Sequence, residues 1–276
     1  MSLGYQAVPS FFSQDDPFAQ PTVIGALPPR FGLLDDSPDR WSTFKQKISQ
    51  LNANANDGAV YKVFYLGRHG QGFHNVAEAR YGTKLWNEYW AALNGDGELV
   101  WGPDPLLTDV GEEQAKEAHA AWAAEIPSGA LLPEKLYTSP MTRAMHTNDI
   151  TFEGLYAGSR PTVTIVENCR EHYGKHTCDK RQTRTRIHAD FPQLIFEEGF
   201  AEEDELWTPV RETEAHIDER ARKVLDRVFD QDPETFISIT AHGGIVNGIL
   251  RVIGRNDYAL PTGGVLPVVI KAIPVT

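Results

Sequence analysis

Three shortages limit what this chain can be. It has only two cysteines in 276 residues, Cys169 and Cys178. That is too few for a disulfide framework, so a reduced, intracellular protein is expected. A metal site around Cys169, His172, His176 and Cys178 fits no C-x₂₋₄-C spacing, so neither metal nor cofactor is expected. The chain also lacks any apolar run of bilayer-spanning length, and its N-terminus lacks a basic segment followed by an apolar one. A soluble protein of the cytoplasm or nucleus is therefore expected, with no membrane partner. Basic residues are scarce as well: 26 Lys and Arg against 38 Asp and Glu, a formal charge of -12. Nucleic acid and anionic lipid need a basic surface, so a small molecule is the expected partner. The oligomeric state stays open.

What is present suits a globular protein. Apolar residues make up 41%, and helical and strand-like segments alternate without internal repeats. That pattern predicts an α/β fold, a three-layer αβα sandwich around a mostly parallel central sheet. Residues 1–56 are rich in Pro, Phe, Asp and Ser. They read as an irregular arm packed on the domain by Phe11, Phe12, Phe18 and Phe31, with a short helix near 37–51 and a linker at 52–57. Residues 57–276 read as the domain proper, with insertions at about 82–107 and 167–209. The last strand, 265–273, is placed on the sheet edge. Trp86, Tyr89, Trp90 and Trp101 in the first insertion are either a satellite core or a cleft wall.

Three strand ends stand out. Val63-Phe-Tyr-Leu is an apolar strand that breaks into Gly67-Arg68-His69-Gly70. Leu136-Tyr137 is followed by Ser139-Pro140, a hydroxyl cap with proline at the first helical position. Arg143 then falls in the first helical turn, where a cation needs an anion beside it. Phe236-Ile-Ser-Ile-Thr-Ala is followed by His242 and Gly243-Gly244. Taken alone, Arg68-His69 reads as a solvated turn. Ligands of parallel sheets, however, bind outside the carboxyl ends of the strands. Two guanidiniums and two imidazoles gathered there suit a phosphate group, with one histidine free to act as nucleophile.

At these residues the chain resembles the histidine phosphatase superfamily, with its phosphoglycerate-mutase-like fold. Arg68-His69-Gly70 with Asn75, Ser139-Pro140 with Arg143, and His242-Gly243 match the family's motifs in order. Leu107-Thr108-Asp109-Val110-Gly111-Glu112-Glu113-Gln114-Ala115 matches a helix start, and the likeness runs from about 61 to about 273. His176-Thr-Cys-Asp-Lys-Arg and Glu205-Leu-Trp-x-Pro-x-Arg-Glu-Thr resemble a eukaryotic branch of phosphomutase-like proteins.

The resemblance implies a metal-independent phosphomonoesterase acting on a small phosphorylated metabolite. His69 would be the phosphorylated nucleophile, and Arg68, Arg143 and His242 the charge stabilisers. Asn75 and Gly243 would be substrate contacts. Glu171, three positions before Gly174, would be the general acid with a raised pKa, and Glu167 is the fallback. Arg181 and His176 are expected to reach the substrate. Lys175, Lys180, Arg181, Arg184 and Arg186 are either a rim for a second anion or a solvated face. Mutases of the family continue after Arg-His-Gly with Arg-Phe-x-Gly-Trp. This chain has Ala79-Arg80-Tyr81-Gly82-Thr83-Lys84 there, which favours a phosphatase over a phosphoglycerate-type mutase. A catalytically silent phospho-ligand or partner-binding module is the remaining alternative.

Overall fold

The computed structural model describes residues 2–55 and 58–275. Among them seven strands form one sheet: β1 (Ser2–Ala7), β2 (Val60–Arg68), β3 (Lys135–Thr138), β4 (Val163–Ile165), β5 (Ile195–Phe196), β6 (Phe236–Ala241) and β7 (Val265–Val275). Their order is β1-β7-β2-β6-β3-β4-β5. β2, β6, β3, β4 and β5 run parallel, while β7 is antiparallel to both β1 and β2. The helices are α1 (Pro21–Ile24), α2 (Arg40–Ala53), α3 (Phe73–Tyr81), α4 (Thr83–Glu88), α5 (Asp109–Glu125), α6 (Thr142–Phe152), α7 (Arg184–Asp190), α8 (Glu214–Gln231) and α9 (Gly243–Val252). None of the described helices is long and apolar enough to cross a membrane.

The side-chain alternation of β2 explains the layers. Phe64 and Leu66 enter a core with Ile217, Leu225, Ile245 and Ile249 of α8 and α9. Val63 and Tyr65 point the other way, into a core with Trp41, Phe44, Trp122 and Met145 of α2, α5 and α6. A strand buried on both faces reads as a continuous apolar run, which is what 63–66 shows. The amphipathic α8 lines Ile217, Ala221, Val224, Leu225 and Val228 along one buried stripe. The Thr213 hydroxyl caps it by accepting from the His216 N–H at 3.3 Å. Thr108 caps α5 in the same way, from the Gly111 N–H at 3.1 Å.

Two expectations are corrected. The N-terminal segment opens with a regular strand, β1, and β1 rather than β7 forms the sheet edge. β7 is covered on one side by β2 and on the other by the chain's own start, a pairing across more than 250 residues that no local pattern announces. Of the arm's aromatics, Phe12 and Phe31 are buried and Phe11 partly so, whereas Phe18 is 87% exposed. The boundary expected at 56–57 lies outside the described residues. In the first insertion Trp86 and Trp101 bury into a small separate core with Ala77, Ala91 and Cys178. Trp90 stacks on Tyr81 at 4.1 Å.

This topology positions the strand ends. Arg68 pairs with Ala241, and Thr138 with Thr240. The residues that follow, His69, His242 and Ser139, therefore emerge side by side from three adjacent parallel strands.

Candidate active site

His69 leaves β2 only 2% exposed. Its backbone N–H donates to the Ala241 carbonyl at 3.0 Å, which fixes it to β6. Its Nδ1 lies 2.6 Å from the Gly70 carbonyl oxygen, and its Nε2 lies 3.3 Å from Arg143 Nε. A carbonyl can only accept and a guanidinium can only donate. Nδ1 therefore carries the proton, and the unprotonated Nε2 accepts the Arg143 Nε–H. Burial, and then the charges of Arg143 and Arg68, hold the His69 pKa well below its usual value. The ring is thus a neutral imidazole of fixed tautomer.

Three positively charged or proton-bearing groups surround it. Arg143, fully buried, comes from the first turn of α6. Arg68 donates from Nη1 to the Leu260 carbonyl at 2.8 Å, while its Nε is buried without a partner. The His242 ring sits 4.9 Å from that of His69, with Nε2 2.8 Å from Ser139 Oγ and Nδ1 buried and unpartnered. His74 adds a third buried imidazole at 5.3 Å, also with a bare Nδ1. Unpartnered buried nitrogens are rare in folded proteins. Gathered around a nucleophile, they fit an anion.

A family model described as the histidine phosphatase superfamily (branch 1) matches residues 64–261. The chain belongs to that superfamily. Membership makes its chemistry phosphatase- or mutase-type. The chain is 43% identical to a probable phosphoglycerate mutase of Arthroderma benhamiae, over 98% of this chain and 84% of the relative. It is 36% identical to phosphomutase-like protein 3 of Candida albicans, over 96% and 79%. It is 35% identical to a probable phosphoglycerate mutase of Saccharomyces cerevisiae, over 78% and 80%.

In this member of the superfamily Glu171 reaches the cluster from the second insertion. Its Oε2 accepts the Gly244 N–H of the first turn of α9 at 3.0 Å, and Oε1 accepts from His172 N at 2.9 Å and Nδ1 at 3.1 Å. A Cβ on Gly244 would lie 2.0 Å from Oε1, so a side chain there would displace the Glu171 carboxylate. The expected raised pKa is corrected. Burial pushes the carboxyl up, but hydrogen bonding from His172, the charges of His242 and His172, and the Gly244 N–H together hold it well below its ordinary value. The His242 pKa is likewise held well below its usual value, first by burial and then by Arg143.

Gly243 starts α9 beside Arg68, whose Cζ would be 3.9 Å from a Cβ there. Asn75 uses its Oδ1 to accept the Gly72 N–H at 2.9 Å, which closes the start of α3. Arg181 is a correction. Its Nε donates to both oxygens of Glu167, and its two terminal nitrogens donate to the carbonyls of Gln182, Glu202, Ala201 and Glu203. With every N–H engaged it has no donor left for substrate. The same contacts make Glu167 a structural acid, since it also accepts from Arg170 at 2.8 Å. His176 is buried near Trp86, and burial, then Arg211, lower its pKa to about 4. The basic run does not form one rim: Arg186 pairs with Asp190 on the surface, and Arg184 lies over Phe196.

The helix cap expected at Ser139 is also different. α6 begins at Thr142, and its cap is Asp104, from the first insertion. The Asp104 carboxylate accepts from Thr142 N at 3.0 Å and Thr142 Oγ1 at 2.7 Å. The Ser139 hydroxyl accepts the Met141 N–H at 3.3 Å and also contacts His242. The anion that Arg143 needs is Asp179, whose Oδ1 lies 3.0 Å from Nη2. His176, Cys178 and Asp179 bring possible metal-ligating atoms within 4.8 Å of one another. Both Asp179 oxygens, however, are on guanidiniums, those of Arg143 and Arg211. A dication there would face two positive charges. Asp104, Asp179 and Ser139 were missed as partners because the sequence gives no signal for contacts made between distant loops.

Proposed function

We propose that this protein is a metal-independent phosphomonoesterase that hydrolyses a small phosphorylated metabolite through a phosphohistidine on His69. One observation carries the reading: His69 Nε2 is kept unprotonated by its two neighbours, within a buried cluster of cationic and unpartnered nitrogens. The lone pair attacks phosphorus as the ester P–O bond breaks. Arg68, Arg143 and His242 hold the phosphoryl oxygens, where preorganised charge contributes most. The leaving oxygen takes a proton from Glu171. Water then attacks phosphorus and returns a proton to Glu171, and the N–P bond breaks to restore His69. A dianion at the cluster raises the pKa of both His242 and Glu171. Substrate binding thus supplies the protonated states that the protein surroundings disfavour.

Hydrolysis is favoured over mutase chemistry by the fate of Arg80. It turns outward to Asp96 and Glu98, each at 3.0 Å. Lys84 is on the surface beside Glu88. Neither cation is placed to form a second phosphate clamp. The test is hydrolysis of p-nitrophenyl phosphate with EDTA present, beside a 2,3-bisphosphoglycerate-dependent mutase assay. Expected are chelator-resistant hydrolysis, inhibition by vanadate, and an acid-labile phosphoryl label on His69 that disappears in His69→Ala. Mutase activity without hydrolysis, restoration of a chelated enzyme by metal, or label on another residue would overturn the reading.

A further inference from the structure

Arg143 is gripped from the side away from His69. Its Nη1 donates to the Cys178 carbonyl at 2.8 Å, and its Nη2 to Asp179 Oδ1 at 3.0 Å. Asp179 is 3% exposed. Its other oxygen accepts from Arg211 Nη1 at 2.8 Å. The same Nη1 donates to the carbonyls of His172, at 2.8 Å, and Gly174, at 3.2 Å, which flank the segment after Glu171. The Asp179 backbone is itself pinned, since its carbonyl accepts from Arg170 Nη2 at 2.7 Å. Arg170 in turn pairs with Asp204.

A guanidinium has five N–H groups in a rigid plane. On Arg143, one on each terminal nitrogen is directed at the 178–179 segment and Nε is directed at His69. The planar fork is thereby oriented, and its Nε edge, which carries Nε–H and one Nη2–H, faces His69. Without Asp179 the guanidinium would keep its charge but lose one of the two anchors that set its plane.

We propose that Asp179 is a positioning residue for phosphoryl transfer. It aims Arg143 at the phosphoryl group and, through Arg211, ties that aim to the segment carrying the acid Glu171. The proposal rests on the phosphohistidine reading above. Asp179 also places a negative charge near the site, which opposes the binding of an anion in the ground state. Aim and affinity should therefore separate. Loss of the carboxylate weakens the chemical step while leaving anion binding intact or tighter, a combination that general unfolding cannot produce.

The test uses Asp179→Asn and Arg211→Met in the full chain. kcat for a phosphomonoester and Ki for inorganic phosphate, a ground-state anion, are measured on each, with the folded fraction checked by circular dichroism. Expected for Asp179→Asn is a kcat loss on the order of 10²-fold, the scale of a small misplacement of a catalytic group, with Ki unchanged or lower. Arg211→Met, at a half-buried position, should show a smaller kcat loss, and the double variant should match Asp179→Asn alone. Asp179→Glu should recover part of the loss. If Asp179→Asn is folded and its kcat is within threefold of the wild type, or its Ki rises in parallel with the kcat loss, the proposal fails. If Asp179→Asn does not fold, Arg211→Met decides, and an unchanged kcat there overturns it. A wild-type protein that neither hydrolyses phosphomonoesters nor forms phosphohistidine would instead sink the underlying reading, and the proposal with it.

Discussion

Gly70 and Gly111 meet backbone to backbone. A Cβ on Gly70 would lie 2.1 Å from the Gly111 carbonyl oxygen, and one on Gly111 would lie 2.1 Å from the carbonyl oxygen of Gln71. The loop that carries His69 is thus seated directly on the first turn of α5. This contact has no room for a methyl group on either side. Gly111→Ala would ordinarily stabilise a helix by about 1 kcal/mol. Here overpacking should win, with a loss of about 1–3 kcal/mol. kcat should fall on the order of tenfold or more as the His69 loop is displaced. Thermal melts and steady-state kinetics check both, and a variant more stable than wild type with full activity would show that the loop is not seated there.

Phosphate binding should take up protons. His242 and Glu171 are both held well below their ordinary pKa values by their protein surroundings. A bound dianion favours the protonated form of each. Calorimetric titration with inorganic phosphate at about pH 8, in buffers of different ionisation enthalpy, should show net uptake that decreases in His242→Gln. Proton release would contradict the assignment.

Glu171 and Glu167 should separate cleanly. Glu171→Gln should slow hydrolysis of a sugar phosphate on the order of 10²–10⁴-fold, the scale of general-acid catalysis. Its effect on p-nitrophenyl phosphate should be much smaller where phosphorylation of His69 limits the rate, because that leaving group departs without a proton. Burst kinetics establish which step is slow. Glu167→Gln removes the carboxylate that joins Arg170 and Arg181. It should cost about 3 kcal/mol of stability, read by denaturant unfolding, with no dependence on the leaving group. If instead the leaving-group effect follows Glu167, the acid has been misassigned.

Asp104 should make stability depend on pH. Burial, opposed by Arg143 and the Thr142 hydrogen bonds, raises its pKa from 3.8 to about 6. The folded state therefore holds this proton more tightly than the unfolded chain does. Its stabilising contribution is complete below pH 3.8 and is lost as the pH rises through about 6. The loss amounts to about 3 kcal/mol, at about 1.4 kcal/mol for each pH unit between the two values. Denaturant unfolding between pH 4 and 7 should show Asp104→Asn losing less stability than wild type over that range. Parallel slopes would rule out the titration.

The sequence shows the apolar runs of β2 and β6 and their breaks, though not β1 or the two-residue β5, and it marks His69 as the candidate nucleophile. Apolar runs ending in glycine at Gly67 and Gly243, hydroxyl caps at Thr108 and Thr213, and Arg68-His69 at a strand end are local signals, because backbone propensity and side-chain periodicity act within a few residues. That the sheet is mostly parallel followed from the β-α alternation, whereas the order β2-β6-β3, which brings His69 and His242 together, is seen only in the fold. Tertiary structure alone decided what those groups touch. β1 and β7 pair across almost the whole chain. Asp104 caps a helix that begins 38 residues later, and Asp179 rather than solvent meets Arg143. Arg181 carries a charge suited to substrate, yet the loop around it supplies acceptors for every N–H. The direction of the Glu171 pKa is the sharpest case. It is the difference between a burial penalty and several donors, one of them the Gly244 N–H from 73 residues away, and only the folded chain brings that donor to the carboxylate.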